Sequence, residues 1–218
     1  MNGTTKSKSP QPEARADRGR RISPRGLLVA SMVAMGALTA AGALRADGGI
    51  HPPQVPANLE VPAGNQAYLM THATGTQNYV CLPRSSGAGM GWAFLGPQAT
   101  GFNDRGEQLL THYLSNNPFE NGVLRPTWQH SRDTSAVWAE PIRSSTDPAY
   151  VEPGAVAWLL LELRGADHGP TGGDRLASTT FIQRVNTSGG VAPASDCLQL
   201  GAKLFVPYET DYVFYREQ

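Results

Sequence analysis

No stretch of this sequence repeats its hydrophobic positions at the helical period over a dozen residues. Short runs rich in β-branched and aromatic residues recur instead, separated by Gly, Pro, Asn and Asp. Residues 66–72 and 76–82 form the first pair, divided by Ala73-Thr74-Gly75, which reads as a hairpin connection. Residues 83–91 (PRSSGAGMG) read as a flexible loop, and 92–95 (WAFL) as a short buried strand closed by Gly96-Pro97. The sharpest turn signal is Asn103-Asp104-Arg105-Gly106, with Asn and Asp early and Gly late, between strands 99–102 and 107–114. A polar loop, 115–125, carries its own Asn121-Gly122 turn, and strands follow at 127–130, 135–142, 155–163, 175–185, 203–207 and 211–216. The most apolar of these, 155–163 (AVAWLLLEL), is helical by composition; its shortness, with Gly154 before it and Arg164-Gly165 after it, favours a central strand. The stretch 178–197 ties the pattern together: its strand half stops at Gly189-Gly190 and leads to Cys197. The pattern predicts an all-β fold, a single antiparallel β-sandwich or barrel of about nine or ten short strands, with little helix outside an N-terminal signal segment.

That segment changes the picture of where the protein goes. Residues 26–44 are apolar, uncharged and rich in Ala and Gly, and Arg20, Arg21 and Arg25 precede them, the layout of an export signal. A retained membrane anchor is the other reading, but so many small residues make the run only weakly hydrophobic, which favours cleavage. The Arg20-Arg21 pair also fits a twin-arginine signal, although Ser23-Pro24 stands where apolar residues usually follow. We therefore divide the chain into an export signal (1–46), a Pro/Gly-rich leader (47–54) and one β domain (55–218). Residues 1–46 carry eight lysines and arginines against Glu13 and Asp17, so the ten basic and 16 acidic side chains that remain give 47–218 a net charge of −6. With Lys203 its one lysine, the domain lacks the clustered positive charge that nucleic-acid binding needs, and that class is excluded. Cys81 and Cys197, the only two cysteines, have no CxxC spacing, and in an exported chain they are expected to form one structural disulfide.

Catalytic chemistry has thin support. His51, His72, His112, His130 and His168 show no HxH or HExxH spacing, so no metal site and no cofactor are expected. His112 with Asp133 and Ser135 is the one set with positional logic for a nucleophilic hydrolase. No GxSxG elbow accompanies it, and Asp133 with Ser135 also fits a self-bonded turn. Glu140, Glu152 and Glu162 are the carboxylates that a glycosidase would need to face across a cleft. Trp128, Gln183 and Arg184 are the ligand-binding candidates, and Trp138 a further aromatic able to stack on a sugar, though core packing is the stronger reading of both tryptophans. Gln183 and Arg184 are neighbours on a strand and must face opposite sides; if Arg184 is the buried one, it needs a carboxylate partner. Asn186-Thr187-Ser188 is a glycosylation acceptor pattern where the host secretes by a eukaryotic route.

Several of these segments together resemble a known family. They are GTQNYVC at 75–81, residues 92–106, His112-Tyr113, Pro126-Thr127-Trp128, WLLL at 158–161, FIQRVNTSGGVAP at 181–193 with Cys197 following, and VPYETDYVFY at 206–215. As a set they resemble the secreted bacterial and fungal proteins grouped as the domain of unknown function numbered 3455, over about 55–218. The resemblance implies export and the cysteine pair, and brings no established activity. The chain departs from that pattern in its longer 115–125 loop and in Asp133-Thr134-Ser135. The function expected from these readings is a secreted or envelope-associated, non-enzymatic module that binds a carbohydrate or another cell-envelope component, or is purely structural. A secreted hydrolase using His112 with Asp133 or Ser135 is the alternative, and membrane contact is expected only through an uncleaved signal segment.

Overall fold

The computed structural model describes residues 49–218; the expected export signal (1–46) and the first two residues of the expected leader lie outside them. Eight strands follow one another: β1 (Asn65–Pro83), β2 (Met90–Phe102), β3 (Gln108–Asn117), β4 (Val123–His130), β5 (Ala136–Ser145), β6 (Trp158–Asp167), β7 (Phe181–Gly189) and β8 (Lys203–Glu217). Each pairs antiparallel with the next, and β8 returns to pair with β1, closing an up-and-down barrel. Among the described residues no helix is long and apolar enough to cross a membrane.

Eight long strands stand where nine or ten short ones are expected, because three breaks in the pattern, at Gly75, at Gly96-Pro97 and at 208–210, fall inside β1, β2 and β8. At Gly75, a Cβ would lie 2.2 Å from the Gln98 carbonyl oxygen, so the absence of a side chain lets the β2 backbone approach closely and β1 run on. Gly96-Pro97 sits beside a bulge in the β1–β2 ladder, at Asn78/Tyr79, and β2 likewise continues. The Asn103 turn forms as expected: its side-chain Oδ1 accepts from the backbone N–H of Arg105 (3.0 Å) and Glu107 (2.9 Å). The 115–125 segment is less of a loop than its polarity suggests. β3 runs to Asn117, a 3₁₀ turn spans Pro118–Glu120, and left-handed Asn121 and Gly122 deliver the chain into β4.

Strand alternation creates two buried layers. Inside the barrel, Leu110, Trp128, Val137, Leu161, Ile182, Tyr212 and Phe214 pack together. The intervening residues of β6 to β8, including Trp158, Leu160, Val185 and Val213, face outward and are buried under the 50–61 segment and the β5–β6 loop. Leu59, in the 3₁₀ turn Ala57–Leu59, is the buried contact of that cover. One end of the barrel is closed by the β6–β7 loop, whose Leu176 is fully buried in the inner layer. At the other end the Cys81–Cys197 disulfide joins β1 to the β7–β8 loop, as the cysteine arithmetic predicts.

Candidate functional site

An up-and-down barrel of eight strands is wide enough to be filled by side chains or to keep room for one small ligand. Here it does both. The lower lumen is packed, and above it a cavity of about 460 Å³ opens towards the disulfide end, its wall drawn from all eight strands. Phe94, Leu114, Pro126, Leu159, Leu161 and Val191 make that wall mainly apolar, and Gln77, Tyr79, His112, Arg184 and Tyr212 bring the polar atoms. The exposed large hydrophobic side chains among the described residues, including Phe94, Phe119, Leu124, Val191, Leu198 and Phe205, all lie towards this open end. A second groove, about 580 Å³, runs along the outside where the β2–β3 ladder stops at Ala99/His112; it shares Pro97, His112 and Leu114 with the cavity wall.

Two of the sequence candidates, His112 and Trp128, meet in the cavity. They are opposite each other in the β3–β4 register, and their rings stack at 4.2 Å and 15°, with Tyr212 edge-on to both. His112 Nδ1 donates to the Thr127 carbonyl (2.9 Å); since a carbonyl only accepts, the proton is on Nδ1 and Nε2 is an acceptor. Complete burial pushes the pKa of His112 down to about 3, so the ring is neutral at physiological pH. The unfolded chain protonates near 6.5 and the folded one near 3, so the stability tied to neutral His112 is full above pH 6.5 and is lost as pH falls towards 3. At about 1.4 kcal/mol per pH unit, acidification from pH 6.5 to 4 is expected to remove about 3 kcal/mol through this group alone. Urea titrations across that range should show a flatter acid limb in His112→Asn, which keeps a donor for Thr127 but does not titrate. An unchanged slope in that variant excludes His112 as the source.

Arg184, a third candidate, also faces the cavity, and its neighbour Gln183 faces away. Gln183 lies in the outer layer, where Nε2 donates to the Leu59 carbonyl (2.7 Å) and Oε1 accepts from the Tyr215 hydroxyl (2.5 Å). It clamps the N-terminal cover onto the barrel. Gln183 is the buried one of the pair and Arg184 is only partly buried; Arg184 has no carboxylate partner, and its Nε and Nη2 both donate to the Ala157 carbonyl, at 3.1 and 2.7 Å.

Asp133 and Ser135 come together at the opposite, closed end, and His112 hydrogen-bonds to neither. Asp133 Oδ1 accepts from the Ser135 hydroxyl (2.7 Å) and N–H (3.1 Å), and Oδ2 accepts from Arg175 N–H (2.8 Å). Burial acts to raise the pKa of Asp133, but these donors hold it below the usual carboxylate range. Ser135 is fully buried and accepts from Leu176 N–H (3.2 Å), so the pair fastens the loop that closes the barrel. The histidine beside them is His130, whose Nδ1 accepts from the N–H of Arg132 and Asp133 at 3.3 Å, and burial lowers its pKa. A nucleophilic serine donates to histidine, whereas Ser135 donates to the carboxylate.

The remaining carboxylates are bound on the barrel's flank. Glu140 and Glu162 are opposite in the β5–β6 register; Arg164 binds both, at 2.8 and 2.9 Å, and Arg125 joins Glu140 (2.9 Å) to Glu120 (2.9 Å). Hydrogen bonds from Arg125 hold the Glu120 and Glu140 pKa values low, and Glu152 is exposed in the β5–β6 loop. Trp138 is buried against Phe119 (6.0 Å), with Nε1 donating to the Ser115 hydroxyl (2.8 Å). Among the described residues no three His, Cys, Asp or Glu side chains converge to hold a metal. His72 touches two carboxylates, Asp211 (2.6 Å) and Asp104 (2.8 Å), but through opposite ring nitrogens, which cannot share one ion. Asn186 of the acceptor pattern donates from Nδ2 to Asp211 (2.7 Å).

Sequence reasoning passes over Gln77, Leu159 and Tyr212, which complete the cavity. No local signal marks them, because a lumen exists only once β8 has met β1. No curated protein and no solved structure matches this chain. Residues 62–216 match the family described as "Protein of unknown function (DUF3455)", and the chain belongs to that family.

Proposed function

We propose that this protein is an exported binding module that holds one small, largely apolar molecule in the lumen of its barrel. The observation that carries this reading is the cavity of about 460 Å³ with an apolar wall and a few inward polar atoms. Its size and composition are those of small-molecule sites in general. Export is supported by the apolar run 26–44 behind its arginines and by the disulfide. An apolar ligand fits better than a carbohydrate, because a sugar needs an accessible aromatic face and many polar partners, and Trp128 and Trp138 are both buried. The hydrolase reading gains nothing from the geometry, since His112 and the Asp133/Ser135 pair work at different ends of the barrel.

A neutral fluorophore, N-phenyl-1-naphthylamine, tests the lumen directly. Saturable enhancement at one equivalent is expected, with quenching of tryptophan emission because Trp128 lines the wall. Leu114→Trp, which fills the mouth side of the cavity, is expected to abolish it while the melting curve stays cooperative. Failure of the probe to saturate, or binding untouched by the filled cavity, would overturn the proposal.

A further inference from the structure

Arg184 is the one charged side chain in the cavity wall, and no acidic residue lines it. The barrel's other partly buried arginines are matched: Arg125 lies between Glu120 and Glu140, and Arg164 between Glu140 and Glu162. Among the described residues no ion pair reaches Arg184, although a charge withdrawn from water is normally paired. The cavity therefore carries one uncompensated positive charge, His112 being neutral there.

The guanidinium is also held in a fixed pose. Two of its five N–H groups go to the Ala157 carbonyl, one from Nε and one from Nη2. Two on Nη1 and one on Nη2 remain, which is the end-on edge that grips a carboxylate with two parallel hydrogen bonds. A second, independent feature lies in the same wall. Gln77 is 2% exposed, and its Nε2 has no hydrogen-bond partner, although its amide lies near the Tyr208 phenol. An orphaned donor in such a place costs free energy unless a ligand acceptor satisfies it. The Tyr212 hydroxyl, beside Arg184 and 3.2 Å from that of Tyr208, adds a further hydrogen-bonding group.

Resting on the lumen reading above, we infer that the ligand is an amphipathic carboxylate: an alkyl or aryl body against Leu114, Leu159 and Leu161, and one anionic head on Arg184, with Gln77 as a second donor. The single negative charge neutralises the single positive one, and the hydrocarbon body matches the remaining wall.

Calorimetric titration with decanoate and with 1-decanol, matched in body and differing in head, tests this on the intact exported protein at pH 7.5. Decanoate is expected to bind roughly 10- to 100-fold tighter, the worth of one charge-assisted hydrogen-bonded pair. Arg184→Gln is expected to erase that ratio by weakening decanoate, and Arg184→Lys to restore part of it. The wild-type comparison decides the matter even if a variant fails to fold. Equal binding of the two compounds overturns the carboxylate assignment and leaves the lumen reading standing. Failure of both, together with failure of N-phenyl-1-naphthylamine, overturns both.

Discussion

Removal of the Cys81–Cys197 disulfide by Cys81→Ala/Cys197→Ala is expected to cost about 4 kcal/mol. For a domain of this size that lowers the melting temperature by roughly 8–16 °C. The two cysteines are 116 residues apart, so the crosslink removes a large loop's worth of freedom from the unfolded chain, and a compact unfolded state trims the figure from its upper bound. The folded state has other fastenings at the same place. Cys81 N–H donates to the Ala202 carbonyl (2.8 Å), Gly201 N–H donates to the Cys81 carbonyl (2.9 Å), and Arg84 pairs with Asp196. The loss should therefore come mainly from the unfolded side. Scanning calorimetry should show the drop, with hydrogen exchange of the residue-81 and Gly201 amides in the native state little changed. A shift under about 2 °C would mean that the unfolded chain already holds these segments together.

Trp128→Ala is expected to be as damaging, at about 3–5 kcal/mol. The side chain is fully buried, stacks on His112 and stands edge-on to Tyr212 (5.3 Å) and Phe214 (6.2 Å). Its removal enlarges an existing cavity, and neighbours that already border empty space cannot collapse far. Trp128→Phe should recover much of the loss, since it restores an aromatic partner for His112 and removes an indole N–H that has no acceptor. A tryptophan serving as an exposed sugar platform would behave differently, costing within about 0.5 kcal/mol on truncation. Guanidinium denaturation of the two variants separates these cases: a near-neutral Trp128→Ala would place the residue outside the core.

The features legible in the sequence were those with a local cause. Asn103-Asp104-Arg105-Gly106 is a turn because Asn103 bonds the backbone two and four residues on, and that chemistry is complete within five residues. Asp133 and Ser135 were readable as a self-bonded turn for the same reason, and the family motifs at 75–81 and 181–193 pointed to the matching family. Gly75 and Gly96-Pro97 misled because a glycine that ends a strand and one that admits a neighbouring strand closely look alike until that neighbour is known. Alternation required Gln183 and Arg184 to face opposite ways, but not which way, because β7 is buried on both faces: the lumen on one, the 50–61 cover on the other. The cavity has no local signature, since its wall combines Gln77, His112, Leu161 and Arg184 from four separate strands.

Closure of the barrel has a consequence for the order of folding. Seven of its eight ladders join strands that are consecutive in the chain and are able to form as the chain extends, whereas the β1–β8 ladder pairs Asn65 with Glu217 and Val80 with Lys203. That seam spans almost the whole domain and must wait for the last strand, leaving β1 as an open edge until then. Cys197 lies just ahead of β8, and Cys81 lies at the end of β1 that meets the beginning of β8. Oxidised early, the pair would hold the two edges of the seam side by side before they zip, shortening the search that otherwise sets the folding rate. In a reducing environment the same chain would have to find its seam unaided, with a long unpaired edge exposed meanwhile.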